Sequence, residues 1–558
     1  MNNLLDKWKK GRFSIYDSEE KSVLGIIKNI YEFISNIIIN LDNKTDLYGD
    51  HKGSWQGLNK PTLSEEGAFA QVEKNMFDIE LLQEQVDITP YFLMSKYGIL
   101  GNGTDETEKL QTALNENSVV YIPNDYTIGI SSMLTVQGNK QIISDGGKIL
   151  CLTDGLYSTL QVNQGEDILI KGITFDMNLK GRTSIDIANT NRYTIENCKF
   201  TGYTAEFGWY ATDGGIRVDK SKDGIIKNNF FYDHGTGYGT TTETLNRCIG
   251  LGSGCNNTLV EGNSFTRVSQ AIVTDSPNIR IVNNHFEDIE DNSVYCVGGS
   301  ENVIIDSNTF FNALDECIVL SGVGQFTVSN NNFDEVRNKC IAINSTLKNV
   351  SIIGNNFRCT TVIPANVIAW RSDKYNVIVD NFVVTNNVVS LPLSTGNELF
   401  SFGNIRGGIF ENNFITVIAT NKIFAFRGVD WLKWTFRNNT IDNTDGTYTT
   451  LLDYPVAISN KDYVFDNCKI VNGRIGTPVN ASIKNMRFQN TGSTIYLINQ
   501  SETSIYYGAS APTTPMKCKT GDIVYNTAPT SGGYVGWVCV EGDGTTLGTW
   551  KGFGVIES

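Results

Sequence analysis

Histidine is nearly absent from this chain, with His51, His234 and His285 the only three among 558 residues. A multi-histidine metal centre is excluded on that ground. Basic residues are in deficit, 45 Lys and Arg against 60 Asp and Glu, for a formal net charge of -15. That balance argues against a nucleic-acid partner, which needs clustered cations. The 11 cysteines are odd in number and scattered, with no CxxC pair. They fit small apolar core positions in a reducing compartment better than a disulfide framework or a zinc site. Long apolar runs are missing too: Ile26–Leu41 is broken by Lys28, Glu32 and Asn36, so no membrane span is expected. No secretory signal is read at the N-terminus, and no calcium-loop motif is visible. The expectation is no metal and no cofactor.

What the chain has in abundance is one short phrase. An apolar residue, any residue, Asn, two more residues, then Phe or Ile recurs as Ile195-Glu196-Asn197 to Phe200, Ile226-Lys227-Asn228 to Phe231 and Ile281-Val282-Asn283 to Phe286. It returns around Asn330, Asn412, Asn438 and Asn467, with weaker copies at Gly172, Gly262, Ser307, Gly354, Asn386 and Asn485. The basal period is roughly 21–26 residues, in the solenoid range. Within each copy apolar and polar residues alternate, which is strand periodicity, and neither heptads nor a leucine framework is present. The reading is an all-β solenoid, a right-handed parallel β-helix, with inward Ile, Val and Phe stacking from coil to coil. The central Asn suits a left-handed bend between strands, and its amide is expected to bond to the Asn above and below. A second inner column, Cys248, Ala271, Ser293, Cys317 and Cys340, suits a tight interior corner.

Four regions follow. Residues 1–60 form a mixed head with an amphipathic pattern from Val23 to Leu41. Residues 61–90 hold a helical stalk from Ser64 to Val86, where Phe69, Val72, Met76, Ile79, Gln83 and Val86 make a coiled-coil seam. Residues 91–500 are the β-helix. Residues 501–558, after the linker Ala511-Pro512-Thr513-Thr514-Pro515, form a small β module for trimerisation or glycan binding, with Tyr534, Trp537, Trp550 and Phe553 as its aromatics. At the start of the third region, Asp105 and Glu108 predict a capping box for a short helix that covers the open end of the solenoid.

That opening segment, Tyr97-Gly98, then Gly101-Asn102-Gly103-Thr104-Asp105, then Gln111-Thr112-Ala113, resembles that of the pectate-lyase-like β-helix proteins of phage tail spikes and tail appendages. The resemblance covers roughly residues 90–490. It implies a homotrimer on the virion, made in the host cytoplasm and released by lysis. It implies attachment to other tail proteins through the N-terminal head and recognition of a host surface polysaccharide or wall teichoic acid, often with cleavage. The motif speaks for the fold more than for a reaction.

Candidate sites come from two features. Long repeat intervals locate insertions, which in solenoids cluster on one face. Residues 202–215 and 233–247 carry Trp209, Tyr210, Asp213, His234, Tyr238, Glu243 and Arg247, and residues 359–375 carry Trp370. Aromatic rings beside acids suit sugar binding. The second feature is a carboxylate column. Eight residues past successive repeat centres stand Gln270, Asp291, Asp315 and Asn338, and nine past them stand Asn292, Glu316 and Lys339. With coils about 4.8 Å apart, Asp291 and Asp315 are expected close together, with Glu316 beside them as a third catalytic candidate. A raised pKa on one member would make it a general acid. Arg337 and Lys339 are placed to hold an anionic group. The sequence leaves glycoside hydrolysis, elimination, teichoic-acid phosphodiester cleavage and binding alone all open, with hydrolysis favoured.

Overall fold

The computed structural model describes residues 94–203, 214–233, 247–362 and, with short interruptions, 364–557. The head and stalk expected over 1–60 and 61–90 lie outside the described residues.

The solenoid is built as its repeat predicts. A coil runs from the strand Gln270–Thr274 to Ile279–Val282, then to His285–Ile289, then to Val294–Cys296, which pairs in parallel with the strand that opened the coil. The three positions in a coil stack into three parallel sheets. We call the Phe-bearing strands sheet A, the Ile-x-Ile strands sheet B, and those following sheet A sheet C. Registers hold without slips over most coils, as in Ile281 opposite Ile305 and Phe286 opposite Phe310. A one-residue slip would turn every inward side chain outward, so the hydrophobic columns fix the winding. On sheet A, Phe175, Phe200, Phe231, Phe265, Phe286, Phe310, Phe333 and Phe357 form one stack with centroids 4.6–5.4 Å apart. The corner column Cys248, Ala271, Ser293, Cys317 and Cys340 is fully buried, because only small side chains fit where the chain bends inward between sheets A and C.

The Asn turns divide their work differently from the sequence expectation. The central residues, including Asn197, Asn283, Asn330 and Asn438, adopt φ of 54–56°, as a bend in the left-handed region requires. The amide ladder, however, is carried by the next residue. From Asn229 to Asn413 each buried Asn donates its Nδ2 to the Oδ1 of the Asn one coil on, at 2.9–3.0 Å, the column ending on Asn439. The same Nδ2 also reaches a backbone carbonyl, as Asn308 does with Ile281 at 2.9 Å. At the central position the expected amide link is seen on the exposed side of the bend, from Asn467 Nδ2 to Asn438 Oδ1 at 2.8 Å, and Asn330 Nδ2 instead reaches Asp306 Oδ1 at 2.9 Å.

The capping helix spans Thr107–Glu116 and buries Leu110, Ala113 and Leu114. Its box is only half formed. Asp105 accepts from the backbone N–H of Thr107 at 3.1 Å and from the Ser131 hydroxyl at 2.6 Å. Glu108 makes no reciprocal bond; instead the buried Glu106 accepts from the N–H groups of Leu100 and Gly101 at 2.6 and 2.9 Å. Gly101 has φ +63°, and a Cβ there would lie 2.3 Å from the Tyr126 ring, so the opening motif needs glycine at that point.

After the last described coil, Met486–Gln489, Ile495–Ile498 and Ile505–Gly508 pair antiparallel, and the last of these pairs with Ile523–Asn526. Tyr534–Glu541 and Thr549–Val555 complete the C-terminal sheet. One pair departs from the expected set of reduced, buried cysteines: Cys518 and Cys539 are bonded. Both are buried in a module too small for a large core. The nine other cysteines are not disulfide-bonded and are buried.

Candidate active site at the corner of sheets A and C

Chain leaving sheet A turns before entering sheet C, through residues 290–293 in one coil and 312–317 in the next, and that turn carries the acids. Asp291 precedes Val294–Cys296, and Asp315 precedes Ile318–Leu320 one coil later. Because Val294 is opposite Ile318, the two acids fall on consecutive rungs, close enough for Asp315 to shift the titration of Asp291. Outer neighbours complete the column. Gln270 donates its amide to Asp291 Oδ2 at 2.5 Å, and Asn338 donates to Asp315 Oδ1. Burial first, and the negative charge and hydrogen bond of Asp315 after it, push Asp291 up to about 6, against the bond from Gln270 that favours its ionised form.

A second polar column runs one residue further along the chain. Glu316 lies 5% exposed between Asn292, which donates at 3.3 Å, and Lys339, whose Nζ is 3.1 Å away. Arg371, from two coils on, closes a bidentate pair with it at 3.2 and 2.6 Å. Burial works to raise Glu316, but the bonds and charges of Arg371 and Lys339 outweigh it and hold the carboxyl below its ordinary range. The corner therefore sets two kinds of acid side by side. Asp291 takes up its proton near neutrality, and Glu316 is kept ionised. Tyr295 projects from the outer face of the same coil, half-buried and in register between Val273 and Val319.

The candidates divide as follows. Asp291, Asp315, Glu316 and Lys339 come together. Arg247 joins the same outer column, one rung before Gln270. Arg337 does not: it is exposed, and its guanidinium bonds Asn312 Oδ1 at 3.3 Å. Trp370 is corrected outright. It is 1% exposed, in register with inward Ile343, and packs edge-on against Phe382 and Phe402 inside the coil. It is a core residue, unable to touch a ligand outside. Trp209, Tyr210, Asp213, His234, Tyr238 and Glu243 lie outside the described residues. In sequence they fall between Lys199–Thr201 and Gly214–Asp219 and between Phe230–Tyr232 and Arg247–Leu251, the strands of sheets A and C that flank this corner. Sequence reasoning missed Arg371 because the insertion at 359–375 breaks the count from the repeat centre, although a charged residue directly after an apolar strand was a signal.

The chain matches the family described as right handed beta helix region over residues 248–357. The fold is a right-handed parallel β-helix. No curated protein matches the sequence. Solved structures with a similar fold include the Streptococcus pneumoniae surface protein and adhesin PfbA, at 17% identity and TM-score 0.41, covering 71% of this chain and 96% of that one. A mutant tailspike protein of E. coli bacteriophage HK620, in complex with a pentasaccharide, is 12% identical with TM-score 0.47, covering 82% and 89%. The A-module of the mannuronan C-5 epimerase AlgE6 of Azotobacter vinelandii is 13% identical with TM-score 0.43, covering 72% and 99%. Among the described residues no helix is long and apolar enough to cross a membrane, and no group of three or more His, Cys, Asp or Glu is placed to hold a metal.

Proposed function

We propose that this β-helix binds a bacterial surface polysaccharide or wall teichoic acid and hydrolyses it at the A–C corner, as a homotrimeric tail appendage of a phage. The observation that carries the chemistry is the Asp291–Asp315 pair, with Asp291 held at about 6. A carboxylic acid that keeps its proton up to about pH 6 is the group a glycosidic leaving oxygen needs, and a neighbouring carboxylate supplies a base. Glu316, clamped by Lys339 and Arg371, positions the corner and keeps it electrostatically balanced. The virion setting and the trimer rest on the resemblance of the opening segment. Sedimentation of the purified protein tests the trimer.

One observation favours a second reading, binding without cleavage. Asp291 and Asp315 stand on consecutive rungs, about 4.8 Å apart along the solenoid, whereas glycosidase acids stand roughly 5–9 Å apart to admit the sugar or water. Incubation with bacterial wall and capsular polymers, followed by mass spectrometry of released fragments, separates the two. Fragments lost in Asp291→Asn support hydrolysis. Bound but intact polymer supports the receptor-binding reading. An unsaturated product end would replace hydrolysis with elimination.

A further inference from the structure

The two acids of the corner are flanked along the solenoid axis by two amides. Asp291, Asp315 and Asn338 each lie three residues before the in-register strand residues Val294, Ile318 and Ile341, so they hold one position on three consecutive coils. On the coil before them that position is Ser269, whose carbonyl accepts the Asp291 N–H at 3.0 Å. Gln270, one residue on, supplies the side chain that reaches the column. Its Nε2 donates to Asp291 Oδ2 at 2.5 Å. At the far end Asn338 Nδ2 donates to Asp315 Oδ1. The order along the axis is amide, acid, acid, amide.

This column differs from the asparagine ladder at the other bend. There an amide such as Asn284 both receives from the rung before and gives to the rung after. Here the run is broken by two groups that only accept when ionised. Gln270 is 2% exposed, and its Oε1 has no hydrogen-bond partner. A buried acceptor left unpaired is destabilising, so a glutamine kept only to fill the corner is a poor choice there. The bond its amide does make is the one to Asp291. Asn338 is less one-sided, because Lys339 Nζ lies 3.5 Å from its Oδ1. Each acid thus has one oxygen met by an amide N–H. Asp291 Oδ1 and Asp315 Oδ2 are met by none.

We propose that Gln270 and Asn338 are positioning residues that bracket the acid pair, reserving Asp291 Oδ2 and Asp315 Oδ1 as acceptors and confining one shared proton to the two oxygens without an amide. An N–H aimed at a carboxyl oxygen favours the ionised form and disfavours a proton on that oxygen, while burial and a neighbouring carboxylate favour protonation. Opposed in this way, the two effects leave the pair with one proton, the state in which one member acts as acid and the other as base. The other charged groups facing the pair are Glu316 with its partners Lys339 and Arg371, and Arg247 on the rung before Gln270. The two amides are the neighbours whose removal changes proton affinity without changing net charge. This inference rests on the acid–base reading above and states how its protonation is set.

The test reads the proton itself, as the infrared C=O band of the protonated carboxyl in the full-length protein, titrated over about pH 4 to 8 and assigned by its loss in Asp291→Asn. Gln270→Met removes one amide at nearly constant volume, and Asn338→Leu removes the other, so each tests the bracket by itself if its partner variant does not fold. Ser293→Ala, in the inward corner column of the same turn, controls for packing. Thermal melting confirms that each variant is folded. The expected result is a midpoint about one pH unit higher in both amide variants, about a tenfold gain in proton affinity, with no shift in Ser293→Ala. A shift in Gln270→Met with none in a folded Asn338→Leu overturns the sharing of the proton. Unmoved midpoints in both overturn the bracket, and the hydrolase reading stands if the unmodified protein releases fragments from wall polymer. Shifted midpoints in a protein that releases none support the bracket and overturn the hydrolase reading. A carboxyl band that does not titrate in the unmodified protein overturns both.

Discussion

Replacing Asp291 by Asn is expected to make the protein more stable above neutral pH while abolishing cleavage. An ordinary Asp titrates near 3.8, and Asp291 in the folded chain near 6. The folded state thus holds a proton on this group that the unfolded chain releases between about pH 4 and 6. Where the folded state binds more protons, stability falls as pH rises, so Asp291 costs nothing below pH 4 and its full penalty above pH 6. A shift of about two units at about 1.36 kcal/mol each sets that penalty at about 3 kcal/mol. Asn keeps both bonds, because its Oδ1 accepts from Gln270 and its Nδ2 donates to Asp315 in place of the acid proton. Unfolding midpoints in denaturant at pH 4, 6 and 8 should show the two proteins equal at pH 4 and the variant ahead by up to about 3 kcal/mol at pH 8. A variant that loses stability equally at all three values would refute the shared-proton account. So would an unmodified protein whose stability rises between pH 4 and 6.

Three further outcomes are expected. Glu316→Gln leaves Lys339 and Arg371 without their carboxylate and should cost roughly 2–3 kcal/mol in denaturant unfolding, short of the fully buried value because Arg371 is a third exposed; adding Arg371→Met should recover part of it. Asn331→Ala removes bonds to Ile305, Asn308 and Asn355 and should cost about 2–3 kcal/mol, whereas Asn330→Gly at the neighbouring left-handed bend should change the melting midpoint little. Glu335 is held down to about 2, since bonds from Thr360 and Thr361 outweigh the opposing effect of burial. Its contribution is complete above about pH 4.5 and lost as pH falls toward 2, so Glu335→Gln should melt below the unmodified protein at pH 5 and converge with it at pH 2.

The solenoid was legible because its signal is repeated. Each coil restates the same inward Ile and Phe, and an error in one copy is corrected by the next. The Asp291–Asp315 column was legible for the same reason, by counting from the bend. Counting failed where the interval lengthened: Trp370 reads as a surface aromatic in an insertion, yet it occupies the inward register of Ile343. The Arg371–Glu316 bond joins residues 55 apart, across two coils of unequal length, which no local pattern encodes. The ladder was displaced by one residue because composition marks Asn-Asn pairs without saying which member takes the left-handed φ and which turns inward.

The amide column has a consequence for how such a chain can change. Asn331 and Asn355 are separated by 24 residues and Asn355 and Asn387 by 32, yet both links close at 2.9–3.0 Å. The spacing of rungs in space is thus uncoupled from the length of chain between them. Extra residues are taken up between rungs while the ratchet of amides advances by one tooth. Segments between rungs can therefore be exchanged or lengthened without renegotiating the interior.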